Sequence, residues 1–330
     1  MTSLTASALI VPKHGDSSVL RVEEREVPDP GPGQARVRVA ACGANFIDTY
    51  QRGGVYPVET PFVLGMEGAG TVESVGEGVT EVAAGDRVAW AMQLGSATTV
   101  ATLPAASLVP VPDDVDLDVA AAAMLQAMTA HFLVNDTYPC TAETIALVHA
   151  AAGGVGQLLV QLLKAKGATV VATAGSADKL AVARERGADH VINYREHDTG
   201  DSLAHAVTEA AGRGVDVAYD GVGQATFDAS LASLRPRGLL VLFGAASGPV
   251  PPVDPQRLNQ GGSLYLTRPS LGHYIAGREE LLARAGEVLG LIADGSLEIA
   301  IDSRHPLADA RAAYDALEGR GTSGKVLLIP

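Results

Sequence analysis

Apolar positions along the chain keep two different rhythms. Up to about residue 125 they come in short runs with a two-residue period, as in Ala35-Arg36-Val37-Arg38-Val39, Gly70-Thr71-Val72-Glu73-Ser74-Val75 and Asp86-Arg87-Val88-Ala89-Trp90, broken by Pro28, Pro30, Pro32, Gly76, Gly78 and Gly85. Alternation with such breaks predicts an irregular, mostly antiparallel β domain. An alanine-rich helix is expected over 120–134, followed by a linker at Tyr138-Pro139-Cys140. Beyond it, short apolar strands (145–148, 168–172, 190–193, 215–219, 239–243, 263–266) alternate with helical stretches near 155–166, 177–186, 202–211 and 227–234. That order predicts an α/β doubly wound parallel sheet covered on both faces. The remainder holds a helix with Leu281, Leu282, Ala285, Val288, Leu289 and Ile292 on one face, a second helix around 307–317 and a last strand at 326–329. It is expected to return to the first domain, giving one domain of 1–125 with 270–330 and another of 126–269.

Residues 144–166 are the most telling segment. The apolar run Ile145-Ala146-Leu147-Val148 leads into Ala151-Ala152-Gly153-Gly154-Val155-Gly156, a G-x-G-x-x-G pattern with alanine at its first glycine. Val155, Leu158, Leu159, Leu162 and Leu163 then recur on one helical face, and Gly167 is placed to stop the helix. Strand, glycine turn and helix together form a unit that holds a dinucleotide pyrophosphate. Gly153 lets the backbone approach the phosphates, Gly156 lets helix pack on strand, and the free N–H groups at the helix start favour negative charge. The segment is uncharged from Thr144 to Leu163, but its central glycine pair, Gln157, Gln161 and its change of period argue against a membrane span.

An NAD site commonly carries Asp or Glu about 20 residues past the glycine turn to bind the ribose 2′-hydroxyl. Thr173-Ala174-Gly175-Ser176 stand there instead. Small neutral residues leave room for a 2′-phosphate, and Ser176, Lys179, Tyr194 and Arg195 can supply donors and positive charge, so NADPH is the expected cofactor.

With 24 Lys+Arg against 38 Asp+Glu, the net charge of −14 and the lack of a basic cluster exclude nucleic acid and an anionic membrane surface as expected partners. Two cysteines, Cys42 and Cys140, make neither a disulfide framework nor a structural zinc knot, and the eight histidines show no ligand spacing. No secretory signal is read in the first 15 residues, so a cytoplasmic location is expected. There is no G-x-S-x-G elbow to support hydrolase chemistry.

With these elements in place, the chain resembles the medium-chain dehydrogenase/reductase superfamily over essentially its full length, and within it the zinc-free quinone oxidoreductase, or zeta-crystallin-like, family. The resemblance rests on Asn45-Phe46-Ile47-Asp48-Thr49-Tyr50, the Ala151 to Gly156 turn, Val191-Ile192-Asn193-Tyr194-Arg195, Phe243-Gly244, and Gly262-Ser263-Leu264-Tyr265 with Thr267-Arg268-Pro269-Ser270-Leu271. It implies a GroES-like β-rich catalytic domain beside a Rossmann domain. Zinc-dependent relatives carry Cys where Asn45 stands and Gly-His-Glu where Gly65-Met66-Glu67 stand, so no metal is expected. Without a Lewis acid, a conjugated acceptor such as a quinone is the substrate class implied. Asn45, Phe46 and the turn through Tyr50 should then meet the nicotinamide and its ribose, with Tyr50 and Tyr56 as donors to the developing oxyanion. Thr129 should face the carboxamide, and Gly153, Gly154, Val155 and Gly156 the pyrophosphate. Ser176, Lys179 and Tyr194 should line the adenosine phosphate. Gly221, Phe243, Gly244, Pro269, Ser270, Leu271 and Arg320 should close over the cofactor. Two positions depart from the family pattern: Gly221, often Ser in relatives, and Ala245-Ala246, usually more polar. For Asp48 a turn-capping role stands beside that of a general base.

The resemblance also implies a homodimer paired through 263–266. Two other functions remain open. One is a 2-alkenal or enoyl reductase, and the other, of a different class, is a non-catalytic NADPH-binding protein of crystallin type.

Overall fold

The computed structural model describes residues 4–330. The described chain divides into two compact units, residues 4–128 with 274–330, and residues 129–273. The first division falls inside the helix Leu117–Phe132, which continues as a π-helical turn over Leu133–Thr137. By length and composition alone 117–137 could cross a membrane, yet 72% of its apolar 18-residue stretch is buried inside the protein.

The first unit is built on a seven-stranded sheet in the order Ile301–Pro306, Lys325–Ile329, Gln34–Ala44, Glu67–Val75, Arg87–Ala91, Val109–Pro110, with Val100–Pro104 also paired to Gln34–Ala44. All its pairings are antiparallel except that between Ile301–Pro306 and Lys325–Ile329. The last strand thus joins the sheet of the first 125 residues by pairing with Cys42, Gly43 and Ala44. A three-stranded sheet, Arg21–Val27, Leu4–Val11, Phe62–Val63, accompanies it. Alternation explains Gln34–Ala44: Ala35, Val37 and Val39 are buried against Val72, Val88, Trp90 and Leu103, while Arg36 and Arg38 face outward to Glu73. Past Ala41 every residue of the strand is buried, because a second core of Leu9, Val11, Phe62, Tyr314 and Leu328 lies there.

The second unit carries six parallel strands in the order His190–Asn193, Thr169–Ala174, Ile145–Val148, Val215–Asp220, Leu234–Leu242, Tyr265–Thr267. The strand order reverses at Ile145–Val148, so the glycine turn leaves the sheet at its topological switch point, where this fold class binds ligands. The helix Gly154–Ala165 buries Leu158, Leu159, Leu162 and Leu163 as the periodicity requires, and Gly167 follows it with φ of +79°.

Several boundaries differ from the sequence expectation. Phe46–Arg52 is a helix, not merely a turn. The stretch 307–317 opens as a 3-10 turn and becomes α-helical only over Ala310–Glu318. The helix beginning at Phe227 ends at Ala232, because Leu234 already starts the next strand, bulged against Val215–Asp220. The edge strand forms at Tyr265–Thr267, two residues late, because Ser263 sits at φ of +58°, outside extended geometry.

Candidate active site

In the second unit the glycine turn is set by close backbone approaches. A side chain on Gly156 would collide with the carbonyl oxygen of Ala150 and lie 2.8 Å from Ala151 Cα. Ala150 itself is held at φ of +50°, with the neighbouring Ala151 N–H bonded to Thr173 O at 3.0 Å. Gly153 is the N-cap of Gly154–Ala165 and offers no capping side chain, so the N–H groups of the first helical turn meet no side-chain acceptor. Gly154 and Val155 open that turn. Such a helix start suits a pyrophosphate.

One strand over, Gly175 and Ser176 end Thr169–Ala174. Ser176 caps the helix Ala177–Glu185, its hydroxyl accepting from Lys179 N–H at 3.4 Å. The next strand pairs Asn193 with Ala174, which delivers Tyr194 and Arg195 to the same edge. A Cβ on Gly175 would lie 2.5 Å from Tyr194 Oη and 3.2 Å from Arg195 Nε, so only glycine admits both side chains. Ser176, Tyr194 and Arg195 thus lie at one strand edge, and Lys179 stands in the first turn of the helix that Ser176 caps.

At the end of Val215–Asp220, the buried Asp220 organises the turn that follows. Its carboxylate accepts from Val222 N–H (2.8 Å), Gly223 N–H (2.9 Å), Thr226 Oγ1 (2.8 and 2.9 Å) and Ser230 Oγ (2.7 Å). Its backbone carbonyl receives the N–H groups of Phe243 and Gly244 at 2.9 and 3.3 Å. These contacts bring Gly221, Phe243 and Gly244 together. They also account for the departure at 221, since a Cβ there would stand 2.8 Å from the Phe243 ring. Ser247 supplies the polar contacts that Ala245-Ala246 cannot, bonding Ala225 N–H and Val222 O. Thr129 is half-buried on its helix, and Pro269 and Ser270 lead into the buried Leu271. His149 is buried, with Nδ1 2.8 Å from Thr173 Oγ1 and Nε2 lacking a partner; burial pulls its pKa down.

In the first unit, the helix Phe46–Arg52 carries Asn45 at its cap and is pinned at both ends. Asp48 accepts from Asn45 N–H at 2.8 Å and from Tyr314 Oη at 2.9 Å. Arg52 makes two bonds to Glu318, 2.7 and 3.0 Å. Asp48 is thus a capping residue, as one of its two readings had it. Its Oδ1 is buried without a partner, and burial raises the carboxyl to about 7. Phe46, Tyr50 and Tyr56 form an aromatic run, with Tyr50 and Tyr56 edge to face at 5.4 Å and Tyr56 exposed. Arg320, exposed, follows the helix Ala310–Glu318 at φ of +55°.

Behind Asn45 lies a group that motif reading missed. Lys325 and Glu67, both fully buried, form an ion pair, and both bond Asn45: Lys325 Nζ donates to Asn45 Oδ1 at 2.7 Å, and Asn45 Nδ2 to Glu67 Oε1 at 2.7 Å. The other Glu67 oxygen accepts from Leu125 N–H at 2.6 Å. Two lone charges inside apolar text, Glu67 among Gly and Ala and Lys325 before Val-Leu-Leu-Ile, were the available signal. Tyr314 and Asp220 were equally hidden.

Comparison with known proteins matches residues 31–113 to the Alcohol dehydrogenase GroES-like domain family and residues 154–285 to the Zinc-binding dehydrogenase family. A quinone oxidoreductase of Salmonella typhimurium is 45% identical over 96% of this chain and 98% of its own. The chain belongs to the quinone oxidoreductase family. Among solved structures of this family, the Escherichia coli quinone oxidoreductase complexed with NADPH matches with a TM-score of 0.95 and 42% identity, over 98% of this chain and 100% of the other. A 2-haloacrylate reductase from Burkholderia is 39% identical over 98% of both chains.

One of the two matching domain families is described as zinc-binding, but the residues of this quinone oxidoreductase family member do not fit zinc. Glu67 is already neutralised by Lys325, and Met66 Sδ accepts from Gln51 Nε2 at 3.2 Å. Burial pushes the Cys42 thiol up, away from the thiolate that a metal needs. Among the described residues, no three His, Cys, Asp or Glu side chains cluster as a metal site.

Proposed function

We propose that this protein is an NADPH-dependent quinone oxidoreductase that works without a metal. The observation that carries the reading is that Asn45 and Met66 stand where zinc-dependent relatives have ligands and are bonded to Lys325, Glu67 and Gln51 instead, a donor set that assembles no Lewis acid to stabilise a simple alkoxide. NADPH, when bound, supplies hydride from C4 of its nicotinamide. A quinone accepts it readily, because the charge spreads over the conjugated ring.

The chain's own residues then bind and orient. Gly153, Gly154, Val155 and Gly156 hold the pyrophosphate at the helix start. Ser176, Lys179 and Tyr194, with Arg195, hold the 2′-phosphate. Asn45, Phe46, Tyr50 and Thr129 receive the nicotinamide half, and Gly221, Phe243, Gly244, Pro269, Ser270, Leu271 and Arg320 close over the cofactor. Tyr50 and Tyr56 donate hydrogen bonds to the acceptor oxygen. A cytoplasmic site of action is in keeping with two free, buried cysteines.

Loss of NADPH absorbance with 1,4-benzoquinone, 9,10-phenanthrenequinone and a short 2-alkenal in parallel tests the reading. Preferential quinone turnover is expected. Turnover of the alkenal alone would move the assignment to a 2-alkenal or enoyl reductase, a second reading favoured by the 2-haloacrylate reductase among the relatives, whose named substrate has a conjugated carbon–carbon double bond. Silence on all three, with NADPH still bound, would leave the crystallin-like binding role.

We further propose a homodimer paired through Tyr265–Thr267. Support comes from its place at the edge of the six-stranded sheet and from Tyr265, 62% exposed on it. A sedimentation mass of one chain at micromolar concentration would rule this out.

A further inference from the structure

The Asn45 amide is held in one orientation by two partners that cannot exchange roles. A lysine ammonium only donates and an ionised carboxylate only accepts, so the Lys325–Glu67 pair fixes Oδ1 on the lysine side and Nδ2 on the glutamate side. Nδ2 has two protons, and both are committed, one to Glu67 Oε1 and one to Gly43 O at 3.2 Å. Oδ1 has two lone pairs and spends one on Lys325. Three donors already occupy Glu67: Lys325 and Asn45 on Oε1, and Leu125 N–H on Oε2. Gly43 belongs to the same construction, because a Cβ there would strike the Glu67 carboxylate and lie 2.5 Å from Lys325 Cε.

We infer that Lys325 and Glu67 are positioning residues that present Asn45 to the bound cofactor as a single hydrogen-bond acceptor with no donor left. Resting on the proposed contact between Asn45 and the nicotinamide half, this means that Asn45 recognises a hydroxyl or amide N–H of the cofactor. It cannot stabilise a developing oxyanion, which needs a donor, so that task falls to other groups. The amide's place among the candidate catalytic residues becomes one of cofactor orientation.

The test uses the full-length protein and three variants: the double variant Lys325→Met/Glu67→Gln, the single variant Glu67→Asp, and Asn45→Ala as a reference. The double variant removes both charges together, while glutamine can either donate or accept and no longer dictates the amide's orientation. Glu67→Asp keeps the ion pair but shortens the arm, and so remains informative if the double variant does not fold. For each, Tm, the Kd for NADPH, kcat/KM with 1,4-benzoquinone and the primary isotope effect with 4-deuterated NADPH are measured. A folded pair variant with near-native Tm, kcat/KM lowered roughly 10- to 100-fold and a larger isotope effect is the expected result. Native kinetics in either folded pair variant, while Asn45→Ala is impaired, would overturn the positioning role alone. Native kinetics in Asn45→Ala would instead overturn the cofactor contact on which it rests.

Discussion

Two buried carboxylates, one in each unit, are neutralised by opposite means. The Asp220 carboxylate draws its hydrogen bonds from the ten residues that follow it: two backbone N–H groups and the hydroxyls of Thr226 and Ser230. Glu67 takes a full positive charge from Lys325, 258 positions away, together with Asn45 and Leu125 N–H. Local dipoles suffice for a turn that only has to keep its shape. A buried ion pair carries a heavier desolvation cost, and once one charge is removed the other is stranded. Around these two carboxylates, then, the turn after Asp220 is organised by near neighbours and the surroundings of Glu67 by side chains that meet only after folding.

The largest effect that would break this contrast concerns Lys325→Met. Stranding Glu67 should cost about 3–5 kcal/mol in urea unfolding. A loss no larger than for Asp220→Asn would show that the two carboxylates are not differently held. Asp220→Asn should cost about 1–3 kcal/mol, since an amide nitrogen then faces donors, and it should weaken NADPH binding through the displaced turn at Gly221. Lys179→Ala should raise the Kd for NADPH roughly tenfold, about 1.4 kcal/mol, and barely alter that for NADH. Equal effects on both would remove Lys179 from the phosphate site.

Within any one pH unit, the remaining effect is a modest slope. Burial raises Asp48 from the usual 3.8 to about 7, against opposing help from Asn45 N–H, Tyr314 Oη and Lys325 and with Glu67 adding to the rise. Between about pH 4 and 7 the folded state therefore holds a proton that the unfolded chain has released. Its contribution is fully present below the unfolded value and is lost as pH rises through about 7, with a slope of at most about 1.4 kcal/mol per pH unit. Asp48→Asn should flatten that part of the stability profile; an unchanged slope would assign the proton elsewhere.

The same contrast governs what could be read from the sequence. The parallel sheet, the glycine turn and the phosphate cluster were legible because each is written in glycines, periodicity and local charge of elements that follow one another along the chain. Asn45 and Met66 stood out only by resemblance, as residues where zinc ligands would be. Lys325 offered only a weak signal, a lone charge opening an apolar strand, because its partners lie in other elements and such a lysine ordinarily reads as solvated. Phe46–Arg52 was read as a turn for a related reason: its seven residues are held as a helix by Tyr314 and Glu318, far along the chain, more than by their own propensity.

The contact between Gly221 and the Phe243 ring bears on how this sequence can change. A serine at 221 is sterically closed while Phe243 keeps its ring there, and a smaller residue at 243 would first leave a void over Gly221. The two positions are thus coupled: a side chain at 221 is admitted only when the half-buried Phe243 ring swings aside. An engineer wishing to install a hydroxyl at 221 should vary both sites in one library.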